Sequence, residues 1–204
     1  MTPWDAFFHH YVQKIFSEKR CVIDIGGGLR AVRGRGNRYE PSRAWLSSLI
    51  EKVNYKIMDP VPDYRPDLIG DIEYLPFQDN TQEAIICLAV LEHVQDPWKA
   101  CREIRRVLIP GGFCLLYVPF LYYYHAEKGY YKDYWRFTQD ALSLLLQDFT
   151  EVDIQNVRGA IETWLHLSPF GKCTPLRAFC RWCDKAYGKI ASRQVSGYYV
   201  FCVK

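Results

Sequence analysis

Short apolar runs alternate with stretches of helical spacing along the chain. Residues 21–25, 55–58, 67–70, 84–90 and 113–118 read as strands, and the fourth is so uniformly apolar that burial on both faces is expected. Residues 151–157 and 196–203 add two more. Between them, residues 4–16 place Phe7, Phe8, Tyr11, Val12, Ile15 and Phe16 on one helical face, and residues 41–52 do so with Trp45, Leu46, Leu49 and Ile50. Asp96 and Pro97 suit the N-cap and first turn of a helix running through Leu108 to the Pro110-Gly111-Gly112 stop. Thr138 caps another that ends near Asp148. This alternation predicts an α/β architecture, a Rossmann-like, doubly wound, mostly parallel seven-stranded sheet whose last strand is antiparallel. The whole of 1–204 reads as one domain, with an N-terminal helix in 1–20. A helical insert over 159–193 precedes the last strand and suits a lid, a wall of an acceptor pocket or a homodimer surface.

Composition narrows the class. With 24% charged and 49% hydrophobic residues in 204, a sizeable core is affordable, and disorder is excluded. The net charge of +3 is spread out apart from Arg30, Arg33, Arg35, Arg38 and Arg43, so a basic stripe is missing and nucleic acid is not an expected partner. No apolar run reaches the ~18 residues of a membrane span, and the start lacks a leader pattern, so a cytoplasmic location is expected. Cys21, Cys87, Cys114 and Cys202 sit in apolar runs as core thiols do. Cys173, Cys180 and Cys183 fall on an apolar helical face without a fourth ligand at usual spacing, so no metal is expected. The 16% aromatic content is concentrated in residues 120–137, beyond what core packing asks.

Candidate chemistry lies where predicted strands end, the ligand edge of a doubly wound sheet. The first strand ends in Asp24-Ile25-Gly26-Gly27-Gly28, where residues lacking Cβ admit a ligand to the backbone. Asp59 closes the second and suits either a ribose or a turn. Asp71 and Ile72 follow the third, Ala89, Val90, Glu92 and His93 the fourth, and the aromatic stretch the fifth.

The ordered set Val22–Gly28, Asp59, Gly70-Asp71-Ile72-Glu73-Tyr74-Leu75-Pro76-Phe77, Leu91-Glu92-His93-Val94 and Leu108–Gly112 resembles the class I S-adenosylmethionine-dependent methyltransferases, type 11 group, over residues 21–157. That resemblance implies S-adenosyl-L-methionine as cofactor. Gly26, Gly27 and Gly28 would lie along its methionine part, Asp24 would organise the turn and the ammonium, and Asp59 would hold the ribose. Asp71 and the Ile72 amide would meet the adenine, with Ala89 and Val90 beside the cofactor. Leu29-Arg30 departs from the family's alternating glycines, leaving Arg30 either on the cofactor carboxylate or in solvent.

His125 with Lys132-Asp133-Tyr134-Trp135-Arg136-Phe137-Thr138 is similar to a signature in methyltransferases encoded with bacterial surface-polysaccharide genes. The resemblance implies an acceptor site of Tyr124, His125, Asp133, Tyr134, Trp135 and Arg136 for a small molecule or carbohydrate. The competing reading packs the rings on the next helix and pairs Asp133 with Arg136. His93 and His125 are the candidate bases, His93 being equally suited to a structural role. Two other functions remain open: a nicotinamide-dependent dehydrogenase, which the missing G-x-G-x-x-G spacing disfavours, and a non-catalytic cofactor-binding module.

Overall fold

The computed structural model describes residues 1–34 and 39–204. Arg35 and Arg38 of the basic cluster lie outside the described residues. Seven strands, β1 (Cys21–Ile25), β2 (Asn54–Asp59), β3 (Leu68–Ile69), β4 (Gln82–Leu88), β5 (Leu108–Pro119), β6 (Glu151–Val157) and β7 (Gly197–Val203), form one sheet in the order β3-β2-β1-β4-β5-β7-β6. All neighbours run parallel except β7, which is antiparallel to both β5 and β6, as the sequence pattern predicts. The uniformly apolar β4 takes the central position, with Ala84, Ile85, Ile86 and Cys87 fully buried.

Helices cover both faces because both faces are apolar. On one side, α1 (Pro3–Glu18) buries Phe8, Val12, Ile15 and Phe16 against Val22, Ile86 and Leu115, which gives it a core role. On the other, α3 (Pro97–Val107) and α4 (Gln139–Leu145) bury Ala100, Ile104, Val107, Leu142 and Leu145 against Ile23, Ile85 and Leu116. Asp96 and Thr138 act as the expected N-caps, accepting from the Lys99 and Ala141 amides.

Four element boundaries differ from the sequence pattern. Residues 41–52 form a 3-10 helix (Pro41–Leu46) followed only by the short α2 (Ser47–Ile50); serines compete for backbone partners here, Ser48 donating to the Trp45 carbonyl. β4 stops at Leu88, since Ala89 takes a left-handed conformation (φ 58°) that carries Val90 toward Gly26. α4 ends at Leu145, where the chain turns to bury Leu146 and Phe149. α3 ends at Val107 and Pro110-Gly111-Gly112 lies inside β5; Leu108 already pairs with Gln82, and a register irregularity with Gly111 at φ 72° absorbs the extra residues.

The insert forms α5 (Ala160–Leu167) and α6 (Thr174–Ala186). Asp184 of α6, fully buried, accepts from the Ile161 and Glu162 amides at the start of α5, and Glu162 in turn accepts from Arg181. Trp164, Phe170, Phe179, Trp182 and Tyr187 are exposed on its outer side. Of its cysteines, Cys180 is buried and Cys183 half-buried, but Cys173 is the exposed N-cap of α6, off the expected face. No helix among the described residues is long and apolar enough to cross a membrane.

Candidate active site

β1 delivers the chain to its turn with Asp24 already buried. The carboxylate accepts from the Gly28 and Leu29 amides (3.0 and 3.1 Å) and from the Tyr55 hydroxyl (2.5 Å), tying the turn to β2. Burial drives this carboxyl up to about 6, against the downward pull of those donors. Asp24 therefore holds the turn through two backbone amides.

The three glycines divide their work. Gly26 and Gly27 are left-handed (φ 77° and 59°), and a Cβ on Gly26 would sit 2.6 Å from Val90 Cγ2. Both line a cleft with Arg30, Ala31, Val32, Ile57, Asp59 and Tyr64. Gly28 instead faces Leu88, whose carbonyl oxygen a Cβ would meet at 2.8 Å. Its absent side chain serves the packing of β1 on β4. Arg30, also left-handed (φ 54°), lines the cleft and is exposed to solvent.

Asp59 is buried at the end of β2, where Oδ1 accepts from the Val61 amide. Asp71 is exposed on the loop after β3 and accepts from the Glu73 amide, while Ile72 is buried with its side chain in the core. Ala89 and Val90 follow β4, the Ala89 amide still donating to the Tyr117 carbonyl. Gly26, Asp59, Asp71 and Val90 thus share the carboxyl edge of the sheet.

The aromatic stretch arches along this edge. Tyr130 donates to Asp63 and packs on Tyr64 at one end, and Tyr122 and Tyr123 pack on His166 of α5 at the other. The Tyr134 and Trp135 amides both donate to the Glu92 carbonyl, and the Trp135 indole donates to the Val94 carbonyl. α5 therefore serves as a wall of the arch.

Beneath the arch, the fourth strand's short 3-10 turn (Leu91–His93) places Glu92 with no exposure and both imidazoles around it. His125 Nε2 lies 3.5 Å and His93 Nε2 3.8 Å from Glu92 Oε1. His125 is held above the ordinary imidazole value of 6.5, first by Glu92, against burial; His93 is held below it, first by burial. Asp133 accepts from Arg136 (2.5 and 2.7 Å) and from the His125 amide. Burial would raise its carboxyl, but Arg136 and that amide outweigh it and hold it down at about 2. Asp133 and Arg136 so form the mutual pair of the competing reading, directed at His125. Tyr134 and Trp135 are partly exposed and Tyr124 largely so. The one signal of Glu92 in the sequence is its place as a carboxylate just after an apolar strand and directly before a histidine.

Comparison with known proteins gives this edge a context. Residues 45–116 match the family model described as Methyltransferase domain. A SAM-dependent methyltransferase from Archaeoglobus fulgidus superposes with a TM-score of 0.59 at 15% identity, covering 98% of this chain and 92% of that one. The fold is that of S-adenosylmethionine-dependent methyltransferases. A 1,6-didemethyltoxoflavin-N1-methyltransferase from Burkholderia thailandensis, solved with bound S-adenosylhomocysteine, superposes at 0.57 with 16% identity over 96% of this chain and 75% of its own. An uncharacterized methyltransferase of Mycobacteroides abscessus is 33% identical over 104 residues, 48% of this chain and 39% of that one. The chain spans only 13% to 40% of the lengths of the first curated relatives it matches.

Proposed function

We propose that this chain transfers a methyl group from S-adenosyl-L-methionine to an oxygen or nitrogen of a small-molecule or carbohydrate acceptor. The observation that carries the reading is one cleft lined by two left-handed glycines and the buried Asp59, with Val90 and the Glu92–His93–His125 cluster at the end of the neighbouring strand β4. The cleft fits the cofactor: a Cβ on Gly26 would fill the cradle, Asp59 suits vicinal hydroxyls, and Arg30 suits a carboxylate.

In this reading the Gly26 and Gly27 backbone lies along the methionine part, with Asp24 fixing the turn. Asp59 accepts from the ribose, and Asp71 with the Ile72 amide meets the adenine. Bound there, the cofactor supplies an electrophilic methyl on a positively charged sulfur. The chain's part is alignment and proton removal. His125 or His93 accepts the acceptor's proton at Nε2, and Glu92 steadies the imidazolium that results. Tyr124, Tyr134 and Trp135 contact the acceptor, while Asp133 and Arg136 position His125.

Incubation with methyl-labelled cofactor and a panel of hydroxyl- and amine-bearing small molecules and sugars tests this. Label in an acceptor supports it; saturable NADH binding in its place returns the dehydrogenase reading, and cofactor binding without transfer to any acceptor returns the non-catalytic one. The exposed rings of the insert favour a homodimer through 159–193, with sedimentation of Trp182→Glu against the parent chain as its test.

A further inference from the structure

Glu92 presents a problem that proton transfer alone does not solve. Its carboxylate has no solvent exposure, and neither oxygen has a hydrogen-bond partner among the described residues. A buried carboxylate that accepts no hydrogen bond is costly to hold, and here, among the described residues, only the two imidazoles stand close enough to offset its charge. The two imidazoles that face it approach at 3.5 and 3.8 Å without hydrogen-bond geometry.

Both rings are fixed from behind. His93 Nδ1 lies 2.7 Å from the Lys132 carbonyl, and His125 Nδ1 lies 3.1 Å from the Tyr123 carbonyl and 3.2 Å from Asp133 Oδ2. With its ring proton on Nδ1 toward the Lys132 carbonyl, His93 turns an Nε2 lone pair toward Glu92; His125 does the same when its Nδ1 donates to the Tyr123 carbonyl or Asp133, Arg136 Nη2 standing farther off at 3.5 Å. A carboxylate or carbonyl behind the imidazole is the outer support that metal-bound histidines use.

We propose that Glu92, His93 and His125 form a binding site for a divalent transition-metal ion, zinc being the best suited, through both Nε2 atoms and one Glu92 oxygen. One donor atom from each residue lies within 4.8 Å of the others. Tetrahedral zinc with bonds of ~2.0–2.1 Å sets its ligands roughly 3.4 Å apart, so the two Glu92 pairs of 3.5 and 3.8 Å close by a few tenths of an ångström, while the two imidazoles, within 4.8 Å of each other, draw together by up to about 1.4 Å on binding. Two imidazoles and a carboxylate match a known zinc donor set, and three protein ligands leave a fourth position for water or an acceptor oxygen. The ion would also neutralise the buried carboxylate. It would occupy the Nε2 lone pairs, so proton removal by His93 or His125 belongs to the metal-free chain. The inference concerns metal binding and holds whether or not methyl is transferred.

The full chain, stripped with chelator, is titrated with Co(II) followed by visible absorption, and then with Zn(II) by calorimetry. One saturable equivalent is expected, its spectrum lacking thiolate charge transfer and unchanged in Cys173→Ser/Cys183→Ser. His93→Ala/His125→Ala should lose saturable binding, and Asp133→Asn should weaken it about 10- to 100-fold. Glu92→Gln, which keeps side-chain shape, provides a second ligand variant with the same expected loss; melting curves report that each variant is folded. No saturable Co(II) or Zn(II) binding by the parent chain, or undiminished binding by the folded His93→Ala/His125→Ala or Glu92→Gln variant, overturns the site.

Discussion

Asp24 draws two backbone amides and a tyrosine hydroxyl onto a carboxylate with no exposed surface, and burial still raises it to about 6 from 3.8. The folded chain therefore holds this proton more tightly than the unfolded chain. Its contribution is fully present below pH 3.8 and is lost as pH rises through about 6. Stability measured by denaturant relative to Asp24→Asn should accordingly fall by up to ~3 kcal/mol between pH 3.5 and 7; a pH-independent difference contradicts the assignment. The two histidines make opposite kinetic predictions. Proton removal by His125, raised by Glu92, gives an acid limb in kcat/KM above pH 6.5 that moves down in Glu92→Gln; removal by His93 places the limb below 6.5. The places of Asp24 and Asp59 at strand ends were legible from residue type and position, and His125 from its likeness to a known signature. Glu92 was not, because full burial of a carboxylate between two imidazoles depends on His125, 33 positions further on, returning beneath the arch.

At the level of elements, the turn after β1 leaves no room for a side chain at Gly28. Gly28→Ala drives a methyl against the Leu88 carbonyl and should cost about 1–3 kcal/mol in thermal or chemical denaturation. Strand positions followed from apolar runs, and the burial of β4 from its apolar stretch Ala84 to Leu88, which lies at the centre of the sheet. The ends of elements were less legible: Ala89 turning left-handed, and Pro110 to Gly112 entering β5, answer to neighbours distant in sequence. The insert shows the same limit. Its helices read from spacing, but their anchor is Asp184 accepting from the Ile161 and Glu162 amides. Asp184→Ala leaves those amides buried and should loosen the insert, seen as faster proteolysis between 160 and 190 while the sheet's melting changes by no more than about 1–3 kcal/mol.

For the whole molecule, the doubly wound sheet gathers Gly26, Asp59, Val90 and Glu92 from separate strand ends onto one edge, and the 120–137 arch with α5 covers it. That convergence is a property of strand order and could be anticipated. Which arch residues point at an acceptor and which hold one another could not, as the Asp133–Arg136 pair shows. If an adenosine-and-methionine ligand lies across the glycine turn with its ribose on Asp59, calorimetric titration with S-adenosylhomocysteine finds one saturable site in the parent chain, weakened at least ~10-fold in Asp59→Ala, about the 1.4 kcal/mol of one lost charge-assisted hydrogen bond. Absence of binding in the folded parent chain, or equal affinity in Asp59→Ala, would contradict it.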